Sequence, residues 1–249
     1  MSDKSFQLNP ENLELKKAET VIEWGKTIVF APHPDDESLG CGGAIALLRK
    51  FNVPVCVVTM SDGTLSHPNS RKFPREKLRA LREQEMKNAL EILGVEAKKN
   101  VFLRYRDRSV PNKESADFDA AVEKIKNIFA IEKPQTILAP WRRDPHPDHL
   151  ATWQIVYSAQ KSFNSNVRII EYPIWLWEMA QDTDLPFEKK VRGWRLDIAE
   201  VIEKKQSAIR AHVSQVTDLI NDDPQGFRLS AEVLAHFAAP FEVFLEEIK

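Results

Sequence analysis

Two short stretches of this 249-residue chain concentrate imidazole and carboxylate groups. The first, Ala31-Pro32-His33-Pro34-Asp35-Asp36-Glu37-Ser38, sets one histidine and three acidic side chains side by side, directly after the apolar run Thr27-Ile28-Val29-Phe30. The second, Pro145-His146-Pro147-Asp148-His149, repeats the idiom after Thr136-Ile137-Leu138-Ala139. Clusters of this kind at the carboxyl ends of two strands can converge on one point and hold a divalent metal. Three protein ligands with an open fourth position describe a catalytic rather than a structural site. Two histidines and one carboxylate suit zinc, and the same set suits ferrous iron. The chain therefore reads as a metal-dependent hydrolase.

Blander readings explain less. A turn in which Asp36 or Ser38 caps the next helix accounts for neither the preceding histidine nor the echo of the motif at 145–149. Gly40-Cys41-Gly42-Gly43 invites comparison with a dinucleotide-binding loop, but a pyrophosphate needs bare backbone N–H groups at a helix N-terminus. Asp35, Asp36 and Glu37 occupy that turn and would repel it, so the glycines are assigned to close packing of helix on sheet. In the second motif Pro147 suits the first turn of a helix, which places Asp148 in that turn and lets His149 point back into the crevice. Asp144 or Asp148 could otherwise serve only the helix dipole.

The elements that must position these motifs follow from hydrophobic periodicity. Apolar runs predict strands over 28–31, 55–60, 101–103, 136–139 and 167–171. They alternate with helical patterns over 39–51, 75–93, 118–131 and 147–160, the second stopped by Gly94. That alternation predicts an α/β fold: a Rossmann-like, mostly parallel sheet with helices on both faces and ligands bound at the carboxyl ends of its strands. Both motifs fall there, and so does Ser61-Asp62-Gly63-Thr64. Beyond residue 171 the pattern changes to an aromatic segment at 172–177, a loop over 182–186, a strand over 193–198, a long helix over 200–219 and a turn at 221–226. The whole of 1–249 is read as a single domain, with 172–249 as a cap or interface lobe.

Composition bounds the partners. A net charge of −2 offers no electrostatic reason to expect nucleic acid or an acidic membrane surface. No apolar stretch approaches the ~20 residues that span a bilayer, and the N-terminal segment does not resemble a signal peptide. Cys41 and Cys56 sit in apolar runs as expected for reduced, buried thiols. The expectation is a soluble, cytoplasmic protein acting on a small molecule.

The pair Pro32-His33-Pro34-Asp35-Asp36-Glu37 and His146-Pro147-Asp148-His149 resembles the PIG-L/LmbE-like family of zinc-dependent N-acetyl sugar deacetylases. Supporting similarity lies in Thr59-Met60-Ser61-Asp62-Gly63, in Arg82-Glu83-Gln84-Glu85 before Leu93-Gly94-Val95, and in Ala211-His212-Val213-Ser214-Gln215. The resemblance implies that His33, Asp36 and His149 bind zinc and that Asp35 is the general base. It implies that His146 stabilises the tetrahedral intermediate or assists the leaving group, with Asp148 as its orienting carboxylate and Asp144 as a further acidic residue of the motif. It leaves room for homo-oligomers. The implied substrate is an N-acetylated amino sugar or glycoconjugate.

Around that core, Asp62 is read as binding substrate hydroxyls, as buttressing the site, or simply as a turn aspartate before glycine, and Arg82 as reaching an anionic part of the substrate or, on a charged helix, as a solvated residue or an ion-pair partner. Trp141, Trp175 and Trp177 are candidates for an aromatic wall, His212 for a packing residue, and His67 and His236 are assigned nothing. The expected chemistry is attack of a metal-activated water on the amide, with the oxyanion facing a protonated His146 supported by Asp148. The competing readings are an amidase or esterase on a non-sugar acyl substrate and a non-catalytic metal- or sugar-binding module.

Overall fold

An eight-stranded sheet carries the site, with strand order β1-β7-β8-β6-β5-β2-β3-β4. The computed structural model describes residues 9–164, 166–179, 181, 184–185 and 190–248. In chain order the elements are β1 (Glu14–Lys16), β2 (Thr27–Ala31), α1 (Asp36–Lys50), β3 (Val55–Ser61), α2 (Arg75–Ile92), β4 (Asn100–Tyr105), α3 (Phe118–Glu132) and β5 (Thr136–Pro140). They continue with α4 (Pro147–Phe163), β6 (Arg168–Tyr172), β7 (Val191–Asp197), α5 (Ile202–Ala211), α6 (Val213–Val216), α7 (Ala231–Ala235) and β8 (Phe241–Glu247).

Strands β2 to β6 pair in parallel, and β8 runs antiparallel between β6 and β7. The five expected strands and four expected helices are present, so the mostly parallel α/β sheet is the one the alternation predicts. The chain leaves β2 toward β3 on one side and returns through β5 on the other. This reversal opens a crevice at the carboxyl ends of β2 and β5, the place where such sheets bind ligands.

The pleat of β2 explains the two-sided burial. Val29 and Ala31 join the apolar cluster under α1, α2 and α5, whereas Ile28 and Phe30 join the cluster under α3 and α4. The glycines after the first motif pack as expected. A Cβ on Gly40 would lie 2.2 Å from the Tyr172 ring and one on Gly43 2.7 Å from Ile198.

Several features depart from the sequence expectation. Helix α1 is interrupted at Cys41, and the carboxylate of Glu242 from β8 accepts the freed N–H groups of Gly43 (2.7 Å) and Ala44 (2.8 Å). Lys205 pairs with the same carboxylate at 2.8 Å, both side chains being buried. The helix expected over 200–219 breaks at His212, whose ψ of 59° ends α5 and redirects the chain into α6. Ser38 does not cap α1; its hydroxyl donates to Glu37. The short edge strand β1 and the strand β8 went unrecognised, and the loop expected over 182–186 lies largely outside the described residues. No described helix is long and apolar enough to cross a membrane. Cys41 and Cys56 are buried free thiols.

Candidate metal and active site

The first motif forms its own turn. Asp36 opens α1, and its Oδ2 accepts the backbone N–H of His33 at 2.8 Å, folding the five residues after β2 back over the strand end. The same oxygen lies 3.2 Å from His33 Nδ1 and 3.2 Å from His149 Nε2. Ligands ~2.0–2.1 Å from a tetrahedral zinc stand roughly 3.3 Å apart, and each of these two spacings matches that separation. His33, His146 and His149 also present ring nitrogens within 4.8 Å of one another. His149 is fully buried, yet neither of its ring nitrogens makes a well-aligned hydrogen bond. A polar ring so placed suits a metal ligand better than a packing residue.

Carboxylates stand behind both imidazoles. His33 Nε2 faces Asp148 Oδ2 at 3.2 Å and Asp107 Oδ1 at 3.4 Å, and His149 Nδ1 faces Asp144 Oδ1 at 3.5 Å. Such partners fix the ring orientation of metal-ligating histidines. Asp148 thus serves His33 rather than orienting His146, contrary to the sequence expectation. Its carboxylate is held in turn by the N–H groups of Arg108 (2.7 Å) and Val110 (3.2 Å).

His146 caps α4, its Nδ1 accepting the N–H of Asp148 at 3.2 Å. That bond needs a bare Nδ1, so the neutral ring carries its proton on Nε2. Burial, together with positive charge on His33 and His149, pushes the His146 pKa down to about 3. In the metal-free protein His146 is thus held neutral, whereas the sequence reading has it protonated during turnover. Burial also opposes charge on the other two rings, but the surrounding carboxylates prevail. Asp36 and Asp144 raise His149 to about 9, and Asp107, Asp148 and Asp36 hold His33 well above its ordinary value. Asp36 stays far below the usual carboxylate range because those imidazoles overcome its own burial.

Asp35 is buried beside this cluster. Burial pushes its pKa up to about 6 against the pull of Arg82, whose Nη2 donates to Asp35 Oδ2 at 2.9 Å. Arg82 is buried as well, and its other bonds go to the carbonyls of Gly63 and Pro34, both at 2.6 Å. Of the readings open for it, Arg82 is an ion-pair partner, to Asp35, and not a solvated residue. Gly63 permits this pairing: its φ is +62°, and a Cβ would lie 2.4 Å from the Arg82 guanidinium. Asp62 is spent within the protein, accepting from Thr64, Asp107 N–H and Arg75. Its carboxylate oxygens are thus occupied by protein donors, the arrangement of a residue that supports the turn.

The crevice above His33, Asp35, Asp36 and His146 is walled by Leu65, Trp175, Met179, Phe227 and Leu229, with Arg82, Asp107, Arg108 and Gln215 as polar members. Only Trp175 of the three candidate tryptophans faces it. Trp141 is buried with its Nε1 donating to the Asp184 carbonyl, and Trp177 stacks on His236 in a separate cleft. Asp107 was missed from sequence, although it follows β4 at its carboxyl end, where a ligand-site residue is expected. The contacts of Glu37 with His212 were missed too, because 175 positions separate the pair and no local pattern joins them.

The sequence matches the PIG-L family, described as GlcNAc-PI de-N-acetylase, over residues 28–160. A Bacillus anthracis protein named probable N-acetyl-alpha-D-glucosaminyl L-malate deacetylase 2 is 29% identical over 224 residues, covering 87% of this chain and 93% of its own length. The N,N'-diacetylchitobiose deacetylase of Pyrococcus horikoshii superposes with a TM-score of 0.62 at 26% identity, over 81% of this chain and 74% of that one. The fold also matches a 4-carboxy-2-hydroxymuconate hydratase of Pseudomonas putida KT2440, with a TM-score of 0.61 at 19% identity over 90% of this chain and 96% of that one. Fold alone therefore does not fix the reaction. The family match spans more than half of the 249 residues and both histidine–carboxylate motifs, and this chain belongs to the PIG-L family of de-N-acetylases.

Proposed function

We propose that this protein removes the N-acetyl group from an N-acetylated amino sugar or glycoconjugate, using a zinc ion held by His33, Asp36 and His149. The observation that carries this reading is Asp36 Oδ2 lying 3.2 Å from a nitrogen of each of the two histidines, with a second buried carboxylate, Asp35, adjacent in sequence. Zinc in such a site supplies a Lewis acid for the amide carbonyl and brings a water's pKa to about 7.

The chain's own residues do the rest. Asp35 takes the proton of the attacking water, and a carboxyl with a pKa of about 6 is suited to accept and then return it. His146, neutral and protonated on Nε2, donates a hydrogen bond to the oxygen on which charge develops. A neutral imidazole is a poor proton donor to an amine, so the proton that the leaving nitrogen needs comes back from Asp35. The apolar wall of Trp175, Leu229 and Leu65 excludes water from one side of the substrate and suits the face of a sugar ring. The buried free thiols Cys41 and Cys56 support a cytoplasmic location.

The test is release of free amine from a panel of N-acetylated sugars and glycosides by protein stripped of metal and then reloaded with zinc. Amine appearing only after reloading supports the proposal. A protein that retains zinc and releases no amine from any sugar points instead to another acyl substrate.

A further inference from the structure

Asp35 has an unusual backbone. Its φ of 138° with ψ of −27° lies outside the left-handed well occupied by the other non-glycine residues of positive φ, which cluster between 48° and 59°. Such conformations persist only where the surroundings over-determine them. Four hydrogen bonds hold Asp35: Arg82 takes its side chain, its carbonyl accepts the N–H groups of Ser38 and Leu39 in the first turn of α1 (both 3.0 Å), and its backbone N–H donates to Glu37 Oε2 at 3.1 Å.

Glu37 is itself fully buried and leans on donors. Its Oε1 accepts from the Ser38 hydroxyl at 2.6 Å and from His212 Nε2 at 3.0 Å. His212 sits at the break between α5 and α6, is 1% exposed, and has no hydrogen-bond partner at Nδ1. Its polar contacts thus all run through Nε2, to Glu37 and to the Ser38 hydroxyl beside it. A buried carboxylate that loses a donor turns to find another, and that turn releases the Asp35 N–H.

Resting on the reading of Asp35 as general base, we propose that His212 is a positioning residue for it. Through Glu37, His212 fixes the strained backbone that aims the Asp35 carboxylate into the crevice. The break in the predicted 200–219 helix is what delivers the imidazole to that place.

The test compares His212→Leu, His212→Gln and His212→Asn with wild type and Asp35→Ala, measuring kcat, KM, bound zinc and thermal midpoint on a sugar that the wild type deacetylates. Misplacing a catalytic group by about 1 Å can cost on the order of a hundredfold. His212→Leu should lose between about tenfold and a hundredfold in kcat, with KM and one zinc per chain unchanged. Glutamine, whose amide nitrogen can take the place of Nε2, should restore most of the loss. Asparagine, whose amide stands near the Nδ1 place and cannot reach Glu37, should not. Should the leucine variant fail to fold, the glutamine–asparagine contrast still decides.

Wild-type kcat in His212→Leu or His212→Asn overturns the inference, as does an equal loss in glutamine and asparagine variants or a loss that follows departed zinc. Full activity in Asp35→Ala overturns the general-base reading itself, and the positioning role with it. An inactive Asp35→Ala beside an undisturbed His212→Leu overturns the positioning role alone.

Discussion

Loading this site with metal should expel protons, and the electrostatics of the cluster set how many. His149 is fully buried and held at about 9, chiefly because Asp36 and Asp144 outweigh its burial. At pH 7 its charged form then exceeds the neutral one by about a hundredfold. His33 is likewise held well above its ordinary value by Asp107, Asp148 and Asp36. A metal ion binds only the neutral imidazoles, so uptake at pH 7 should release the proton of His149 and, because His33 is shifted in the same direction, further proton from His33. Displacing the one on His149 costs the metal about 3 kcal/mol there, and apparent affinity should rise about tenfold per pH unit for each proton displaced. Calorimetric zinc titration of the metal-stripped protein, in buffers of differing ionisation enthalpy between pH 6 and 7.5, reads the count directly. His149→Ala should release about one proton fewer and bind zinc far more weakly. The raised pKa also stabilises the metal-free protein. That contribution is complete below about 6.5 and is lost as pH rises through about 9, a fall of about 3 kcal/mol measurable by urea unfolding. Fewer than half a proton released at pH 7, or an affinity flat across the range, would refute this account of the cluster.

Three further outcomes follow from individual contacts. His146→Ala should lose about 10²–10³ in kcat, the usual cost of one oxyanion donor, whereas His146→Gln, which keeps an N–H near the Nε2 place, should lose less; equal losses would remove the neutral-donor role. Glu242→Ala leaves Lys205 buried without its carboxylate partner and the amides of Gly43 and Ala44 unpaired, so urea unfolding should show a loss of about 3–5 kcal/mol. Arg108 lines the crevice with no carboxylate partner among the described residues, on a backbone of φ +58° tied to Asp148. Arg108→Ala should raise KM for substrates bearing an anionic substituent and spare neutral ones, and an equal change for both would exclude charge recognition.

The sequence was most legible where local order equals spatial order. His33, Asp35 and Asp36 are neighbours on one turn, and His146, Asp148 and His149 share one helix start, so contiguous motifs carried them to the site. The central strands were legible because burial on both faces leaves uninterrupted apolar runs. Arg82 was open between a solvated residue and an ion-pair partner because its neighbours are charged; it lies four residues from both Leu78 and Met86, on the buried stripe of α2, and that spacing was the signal for the second. Asp107, Trp175 and His212 reach the site or its support from separate elements, where only tertiary packing brings them together. Asp148 shows a subtler limit: its place in the motif is plain, but which histidine its carboxylate serves depends on the path of residues 106–110.

The central claim is that zinc-assisted hydrolysis of an N-acetyl sugar uses Asp35 as the proton carrier. The most direct measurement is the rate of free-amine release by zinc-loaded wild type and zinc-loaded Asp35→Ala on the same N-acetylated sugar, with bound zinc determined in both. The account predicts one zinc per chain in each and a loss of at least about a hundredfold in kcat for the variant. A variant that holds its zinc and turns over at the wild-type rate would contradict it.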